Sequence, residues 1–286
     1  MAAIDLAHLR SWIGRVQDDE DVLSVRHARL MAATVGHAAD ALVEGAPLPA
    51  LWHWLYFLEG RPAGELGRDG HPARGGFLPP VPLPNRMWAG GRIEMVGPLV
   101  LGATVKRRSQ VLRVDHKQGK RGDLVFVTVL HELLSTAGDM LLREEHDIVY
   151  TEGRAQKAAA PVAAPFEASG PRFAPDAVML FRYSALTFNG HRIHYDLDYC
   201  RHVEGYDNLV IHGPLNATLL ANHAEALAGR PLSRFDYRLL APALVGCTLA
   251  IDAHPPAEGG GPFVLRLLRD HGAACAAAAA RGAALG

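Results

Sequence analysis

Hydrophobic and polar positions along the chain fall into two blocks that predict antiparallel strands. In the first block, residues 91–134, apolar and β-branched runs flank a charged turn at 115–123. In the second block, residues 233–272, similar runs flank a Gly- and Pro-rich turn at 254–262. Runs of this composition, separated by turn residues, are typical of β-hairpins. The pattern therefore predicts a hairpin-rich sheet in each half of the chain.

The two blocks also resemble each other in detail. Pro98 precedes Gly102 by four residues in the first block, and Pro242 precedes Gly246 by four residues in the second. Each pair leads into a strand, a polar turn and another strand. Self-similarity of this kind indicates an internal duplication.

Helical sequence precedes the strands in each half. Residues 214–228 place their leucines largely on one face, with Pro214 suited to a first helical turn and Gly229 to a stop. Residues 48–62 are apolar nearly all round and predict a buried helix. The tail, residues 273–286, leaves two alternatives, because alanine favours a helix whereas its place after the hairpin favours a last strand.

The segment between the halves is rich in alanine and proline and poor in large apolar residues. Such a composition buries little surface and suits an extended linker, which we assign to residues 151–177. The predicted domains are therefore residues 1–150 and residues 178–286.

Composition and charge narrow the class of protein. The chain has 286 residues, 49% hydrophobic and 21% charged, which is ordinary globular composition. A formal net charge of −1 gives no electrostatic reason to expect nucleic acid or an anionic membrane as partner. No membrane-spanning run or signal peptide is recognisable, and three cysteines without metal-site spacing favour a reducing compartment. We expect a cytoplasmic protein.

Candidate chemistry concentrates in residues 188–196, FNGHRIHYD. Here Asn189, His191, His194 and Asp196 lie within eight positions. A His-x-x-His spacing alone is a weak metal signal, and no cysteine or Glu-x-x-His pattern supports it. We therefore expect no metal, and treat the stretch as a candidate acid–base site.

Residues 181–220, FRYSALTFNGHRIHYDLDYCRHVEGYDNLVIHGPLNATLL, resemble the C-terminal half of the MaoC-like hydratases and dehydratases. The first-half blocks LWHWLYFLEG, GHPARGGFLPPVPLPNRMWAGGR and LVFVTVLHELL are similar to one branch of that family. That branch contains mesaconyl-C4-CoA and itaconyl-CoA hydratases and the mitochondrial 3-hydroxyacyl-thioester dehydratase type 2. The resemblance implies an α+β double hot-dog fold, in which each of two antiparallel sheets wraps around a central helix.

The family's hydratase motif, G-D-x-N-P-x-H, carries over with one departure. Its final histidine falls on His194, its asparagine on His191, and its aspartate on Asn189. An amide binds water but does not accept a proton at neutral pH. The resemblance thus implies His194 as the proton-transfer group, with Asn189 beside it and either Asp196 or His191 as a second titrating group.

The resemblance also implies where the thioester binds. The His212-Gly213 pair opens the predicted central helix, where the Gly213 N–H is a donor for the thioester oxygen. His212 either braces the loop or contacts substrate. Arg182 either pairs with a free acyl carboxylate or caps a loop, and Ser184 and Tyr195 lie along the expected substrate wall. The first half has neither the hydratase motif nor a His-Gly pair before its helix, and it is expected to form a wall of the substrate site.

The implied activity is reversible hydration of a 2-enoyl-CoA thioester, with mesaconyl-C4-CoA or itaconyl-CoA giving citramalyl-CoA. The alternatives are a 3-hydroxyacyl-thioester dehydratase of fatty-acid synthesis and a non-catalytic acyl-CoA-binding subunit. No cofactor is expected, because CoA is part of the substrate. A homodimer is a further expectation, since hot-dog sheets often pair across subunits.

Overall fold

The described residues form one antiparallel sheet wrapped around a long helix. The structure, a computed structural model, describes residues 4–119, 122–152, 167–256, 261–269 and 272–283. Its strands are β1 (Val16–Val22), β2 (Asn85–Met95), β3 (Thr104–Gly119), β4 (Gly122–Ser135), β5 (Met140–Thr151), β6 (Arg172–Phe173), β7 (Leu232–Leu239), β8 (Leu249–His254), β9 (Phe263–Leu268) and β10 (Ala274–Gly282). Its α-helices are α1 (Leu6–Arg10), α2 (Val25–Val35), α3 (Ala177–Leu186), α4 (Leu197–Tyr199) and α5 (Gly213–Ala228).

Strand order is symmetric about the centre of the sheet. The order is β1-β3-β4-β5-β2-β7-β10-β9-β8-β6, so each half contributes five strands in matching sequence. The halves join where residues 90–94 of β2 pair with residues 234–238 of β7, a contact we call the β2–β7 seam. Both predicted hairpins, β3–β4 and β8–β9, are confirmed.

Backbone details support the predicted duplication. Gly102 and Gly246, which follow the two prolines, adopt φ values of 88° and 97°. These lie in the left-handed region that favours glycine. The N–H of Leu48 donates to Leu99 over 2.7 Å, and in the second half Ile211 donates to Ala243 over 2.8 Å. The same turn is thus built twice.

Helix α5 is the central helix of the second half and confirms the prediction for residues 214–228. It packs against β7, β9 and β10, and most of its residues from Leu215 to Ala224 are buried. Pro214 lies in the first turn, and Gly229 ends the helix with a φ of 64°. Both end signals were local in the sequence, so the bounds were predictable.

The helix predicted over residues 48–62 is wrong. Only Trp52–Leu55 turn helically, as one 3-10 turn, although they are buried as expected. Leu51 and Phe57 adopt φ values of 67° and 59°, a left-handed backbone that interrupts an α-helix on both sides of the turn. The turn is held by other bonds, including one of 3.0 Å from Trp52 Nε1 to Asn222 Oδ1 of α5.

The remaining expectations concern the linker and the tail. Residues 153–166, the main part of the predicted linker, lie outside the described residues. Residues 172–173 near its end form β6, which pairs with β8. The alanine-rich tail forms the strand β10, so sheet position overrides helix propensity there. Among the described helices, none combines the length and apolar character needed to cross a membrane.

Candidate active site

A cavity of about 2100 Å³ lies between the two halves and is lined by both. Its wall includes Asn189, His191 and His194 from the second half, beside Gly213 at the start of α5. The cavity therefore brings together the motif and the helix start that the sequence pointed to.

Asn189 folds the turn that carries the histidines. Its side-chain Oδ1 accepts a 3.0 Å hydrogen bond from the His191 N–H, and its own N–H donates to Ser184 over 2.9 Å. The preceding Phe188 has a φ of 48°, a strained conformation for a bulky residue. The amide oxygen is therefore committed to the backbone.

His194 is buried and held in one tautomer. Its Nδ1 lies 2.7 Å from the carbonyl oxygen of Val210, which only accepts, so Nδ1 carries the hydrogen and Nε2 is a free acceptor. Burial lowers the pKa of His194 to about 3, although the Val210 hydrogen bond opposes the shift. The imidazole is therefore neutral at physiological pH.

His212 lies behind His194 and braces it. The two rings stack with centroids 3.5 Å apart, and His212 Nε2 is 2.8 Å from Ser184 Oγ. His212 is fully buried and is not among the residues that line the cavity. Of its two expected roles, the geometry supports bracing. Ser184 lines the wall and orients His212.

Helix α5 presents its first turn to the cavity. Gly213 lies so close to Leu239 and Trp88 that an added Cβ would overlap the Leu239 side chain. One turn on, Asn216 lines the cavity, and its buried Oδ1 has no partner among the described residues. Sequence reasoning missed Asn216, although an amide in an apolar helix was a visible signal.

Two predicted site residues lie elsewhere. Arg182 is exposed and is not among the residues that line the cavity, so the structure does not bring it to the expected substrate wall. Asp196 pairs with Arg192 at 2.6 Å and caps α4 at Tyr199, and it also lies off the cavity. It is not placed to serve as the second titrating group. Tyr195 is on the wall, and its hydroxyl donates to the Gly190 carbonyl over 3.1 Å.

The first half contributes polar groups that sequence reasoning missed. His71 lines the cavity with its ring 4.3 Å from that of His191, and its Nδ1 is 3.3 Å from Asp69 Oδ2. Arg86 also lines the cavity. Burial, followed by the charges of His71 and His194, lowers the pKa of His191 to about 2. The site is therefore shared between both halves.

A second polar cluster lines the first-half side of the cavity. Glu144, 2% exposed, accepts hydrogen bonds from His53 Nε2 at 2.9 Å and Trp54 Nε1 at 3.0 Å. Burial lowers the pKa values of His131 and His146 to about 3 and about 4, so both are neutral near pH 7. The first half is therefore more than an apolar wall.

One group among the described residues has the spacing of a metal site. Donor atoms of Asp69, His71 and His191 lie within 4.8 Å of one another. Asp69 already accepts a hydrogen bond from His71, and the charge of Arg86 acts on all three groups. The Asp69 carboxylate is thus already engaged by His71, so the arrangement is that of a hydrogen-bonded pair.

Comparison with known proteins gives a consistent family. The model of the hydroxyacyl-thioester dehydratase type 2 family matches residues 51–245. A mesaconyl-C4-CoA hydratase of Chloroflexus aurantiacus is 45% identical over 236 residues, 81% of this chain and 84% of that protein. A mitochondrial hydroxyacyl-thioester dehydratase type 2 of Schizosaccharomyces pombe is 27% identical over 255 residues, covering 78% of this chain and 84% of the relative.

Solved structures confirm the predicted fold. A Mycobacterium tuberculosis protein described as having a double hot-dog fold superposes with a TM-score of 0.56 at 15% identity, covering 94% of this chain and 96% of the other. The α+β double hot-dog prediction is therefore confirmed, with the first-half helix reduced to a turn.

Proposed function

Because this chain belongs to the hydroxyacyl-thioester dehydratase type 2 family, we propose that it adds water reversibly to a 2-enoyl-CoA thioester. The substrates proposed are mesaconyl-C4-CoA or itaconyl-CoA, with citramalyl-CoA as the product. The relative at 45% identity is named as a mesaconyl-C4-CoA hydratase, which supports this choice.

The observation on which the proposal mainly rests is a neutral histidine at the start of a helix. His194 has its Nδ1–H fixed on the Val210 carbonyl, so Nε2 is free to take a proton from water. The addition of water to C3 moves the π electrons of the C2–C3 bond toward the thioester carbonyl. His194 is thus the base that the reaction needs.

The negative charge on the thioester oxygen needs fixed donors. Gly213 is the first residue of α5, where N–H groups lack intrahelical acceptors and the helix dipole is positive. A backbone donor at such a position is worth on the order of 3 kcal/mol in acyl chemistry. Asn216 lies one turn further along the same face of the cavity.

Arg86 supports a substrate with a free carboxylate, the part first expected of Arg182. Arg86 lines the cavity. Burial is the largest cause of the lowered pKa values of His71 and His191, and the charge of Arg86 contributes to both. In mesaconyl-C4-CoA the carboxylate is bonded to C3, the carbon that water attacks, so its partner is needed close to these histidines.

The test follows loss of the conjugated enoyl-thioester absorbance with mesaconyl-C4-CoA and crotonyl-CoA. Itaconyl-CoA, whose double bond is not conjugated with its thioester, is tested by chromatographic detection of citramalyl-CoA. We expect turnover of a dicarboxylic substrate and its loss in His194→Ala. Arg86→Met should lower kcat/KM for that substrate about 100-fold and change crotonyl-CoA turnover less than about threefold. Arg182→Met is the matched control and should change neither.

The second candidate is dehydration of straight-chain 3-hydroxyacyl thioesters. The family description and the S. pombe relative favour it. Preference for crotonyl-CoA, unaffected by Arg86→Met, would establish this activity instead. Binding of all three thioesters without hydration of any of them would identify a non-catalytic binding subunit.

A further inference from the structure

Two short segments, one from each half, meet at the wall of the cavity. They are Asp69-Gly70-His71 and Asn189-Gly190-His191, here called the two Asx-Gly-His segments. In each, the Asx Oδ1 accepts a hydrogen bond from the N–H of its own histidine, at 3.1 Å and 3.0 Å respectively. The same local turn is therefore made twice, once with an acid and once with an amide.

The two segments touch backbone to backbone. A Cβ on Gly190 would lie 2.8 Å from the Gly70 carbonyl oxygen, and one on Gly70 would overlap the Gly190 carbonyl. Gly70 also has a φ of 87°, and Arg192 N–H donates to the Asp69 carbonyl over 2.9 Å. Only glycine permits this approach, which places the His71 and His191 rings 4.3 Å apart.

The Asp69 carboxylate serves His71 as well as the turn. Its Oδ2 accepts from the His71 Nδ1–H at 3.3 Å, which leaves His71 Nε2 for the cavity side. Burial raises the pKa of Asp69, but the hydrogen bond and charge of His71 and the charge of Arg86 outweigh it and lower the value. Asp69 is therefore ionised, and its charge and hydrogen bond raise the pKa of His71, although burial is the larger effect and keeps that pKa below its ordinary value.

We propose that His71, held by Asp69, is the second proton-transfer group of the site and supplies the function that Asn189 lacks. The inference rests on the proposed hydration. His71 lines the cavity and is the proton donor to C2, and Asp69 is a positioning residue. The His191 ring neighbours both, with its centroid 4.3 Å from that of His71 and 5.5 Å from that of His194.

The proton balance of the step is closed. As the water oxygen bonds to C3, its proton passes to Nε2 of His194. Protonated His71 gives its Nε2 proton to C2, the carbonyl re-forms, and the C2–C3 double bond is lost. His194 is then protonated and His71 neutral, and the proton returns through His191. One water is consumed, and no net proton is released.

The charges around His71 fix the expected pH response. Burial, the largest effect, lowers its pKa, the hydrogen bond and charge of Asp69 raise it, and the charges of Arg86 and Arg74 lower it, so the net pKa lies below the ordinary histidine value. His191 faces it from the other segment. Because the donor form is the protonated one, the hydration rate should fall as pH rises through this pKa. Removing the Asp69 charge should move that fall to lower pH.

The test compares kcat, KM and pH profiles of wild type, His71→Gln and Asp69→Asn, with mesaconyl-C4-CoA and crotonyl-CoA. Asp69→Asn reproduces the amide turn of Asn189 and so preserves the backbone. The matched controls are His116→Gln and Asp123→Asn, a second His–Asp pair at 2.7 Å that does not line the cavity. Thermal melting and crotonyl-CoA binding are measured for each variant.

We expect His71→Gln to lower kcat about 100- to 1,000-fold, to leave KM within about threefold, and to lose the alkaline limb. Asp69→Asn should lower kcat about 10-fold and shift that limb to lower pH. The controls should match wild type, and added imidazole should partly restore His71→Ala.

Other outcomes would overturn the inference. Activity of folded His71→Gln near that of wild type, with an unchanged pH profile, would remove His71 from the reaction while the hydratase stands. Loss of wild-type activity on chelation, restored by Zn²⁺, would make the cluster a metal site instead. Inactivity of wild type on every enoyl-CoA would overturn the proposed function and this inference with it.

Discussion

The two halves share a strand order but differ where the central helix begins. The hydrogen bond from Leu48 to Leu99 in the first half corresponds to that from Ile211 to Ala243 in the second. Counting two residues on from each donor makes Ala50 the equivalent of Gly213. Gly213 begins a sixteen-residue helix, whereas Ala50 leads into a single 3-10 turn. The five-strand order is therefore kept in both halves without a long central helix in the first. The long helix is present in the second half, where its N-terminal N–H groups lie at the proposed thioester site.

In the first half, other residues occupy the space that the central helix fills in the second half. Its shortened helix is followed by residues 66–84, which contain no helix or strand and reach the motif of the second half through Gly70 and Gly190. The space inside is filled by aromatic side chains and by the buried Glu144 cluster. The second half thus carries most of the proposed reacting groups. The first half carries the buried Glu144 cluster and contributes His71.

The largest expected effect on stability comes from Glu144. Glu144→Ala leaves the buried His53 Nε2 and Trp54 Nε1 without their acceptor, so we expect a loss of about 3–5 kcal/mol in unfolding free energy. The matched control is Glu145→Ala on the same strand, whose arginine partners are partly exposed and whose loss should cost about 1 kcal/mol or less. Chemical denaturation measures both, and equal losses would contradict the comparison.

The free energy of unfolding should fall at acid pH because of the same Glu144 cluster. Burial raises the pKa of Glu144, but the hydrogen bond and charge of His53 outweigh burial and lower it to about 2 from an ordinary 4.5. A depressed folded-state pKa stabilises above the unfolded value, and that stability is lost as pH falls from about 4.5 to 2. We expect Glu144 to contribute a loss of about 3 kcal/mol over this window, in addition to the loss from protonating His131 and His146, measured by denaturation at each pH as the difference from Glu144→Gln. In Glu144→Gln this component should be missing, and an unchanged acid profile would contradict the assignment.

A smaller effect is expected at the brace behind His194. Ser184→Ala removes the only partner that His212 side-chain nitrogens have within the described residues, since Nδ1 is already unpaired. We expect about 1–2 kcal/mol of destabilisation and a several-fold lower kcat, because the stacked His194 loses its support. Ser233→Ala, at a partly exposed hydroxyl, is the control. A kcat unchanged alongside lost stability would show that the brace is structural alone.

The smallest effect tests the contact between the halves away from the sheet. Asn222→Ala removes the α5 acceptor of the Trp52 Nε1 hydrogen bond without changing the buried ring, and should cost about 1 kcal/mol. Trp12→Phe removes an exposed bond to Gly76 and should cost less. If Trp12→Phe is the more costly in a denaturant titration, the buried bond does not join the halves.

What the sequence predicted well was local. The α5 bounds followed from Pro214 and Gly229, and the placement of His194 and Asn189 at the cavity followed from one motif. The error at residues 48–62 arose because apolar content reports burial, whereas the left-handed Leu51 and Phe57 depend on contacts from distant segments. Tertiary context decided that element.

The arrangement of the site differs from the sequence-based expectation at two residues. Arg182 was expected beside Ser184, but residues two apart on a helix point to nearly opposite faces, and Ser184 is the one on the wall. His71 was missed because its partner His191 is 120 residues further along the chain. The repeated Asx-Gly-His pattern was visible in the sequence, and comparing the halves for it was the signal available.

The β2–β7 seam has a consequence for the order of folding. It joins strands from opposite halves of the chain, whereas β3–β4, β4–β5 and β8–β9 are neighbours in sequence. Closing a long loop costs entropy before any contact forms, so local hairpins form faster. We expect each half to collapse first and the seam to close last. Until it closes, β2 and β7 expose unpaired backbone groups, which makes that intermediate the species most prone to aggregation.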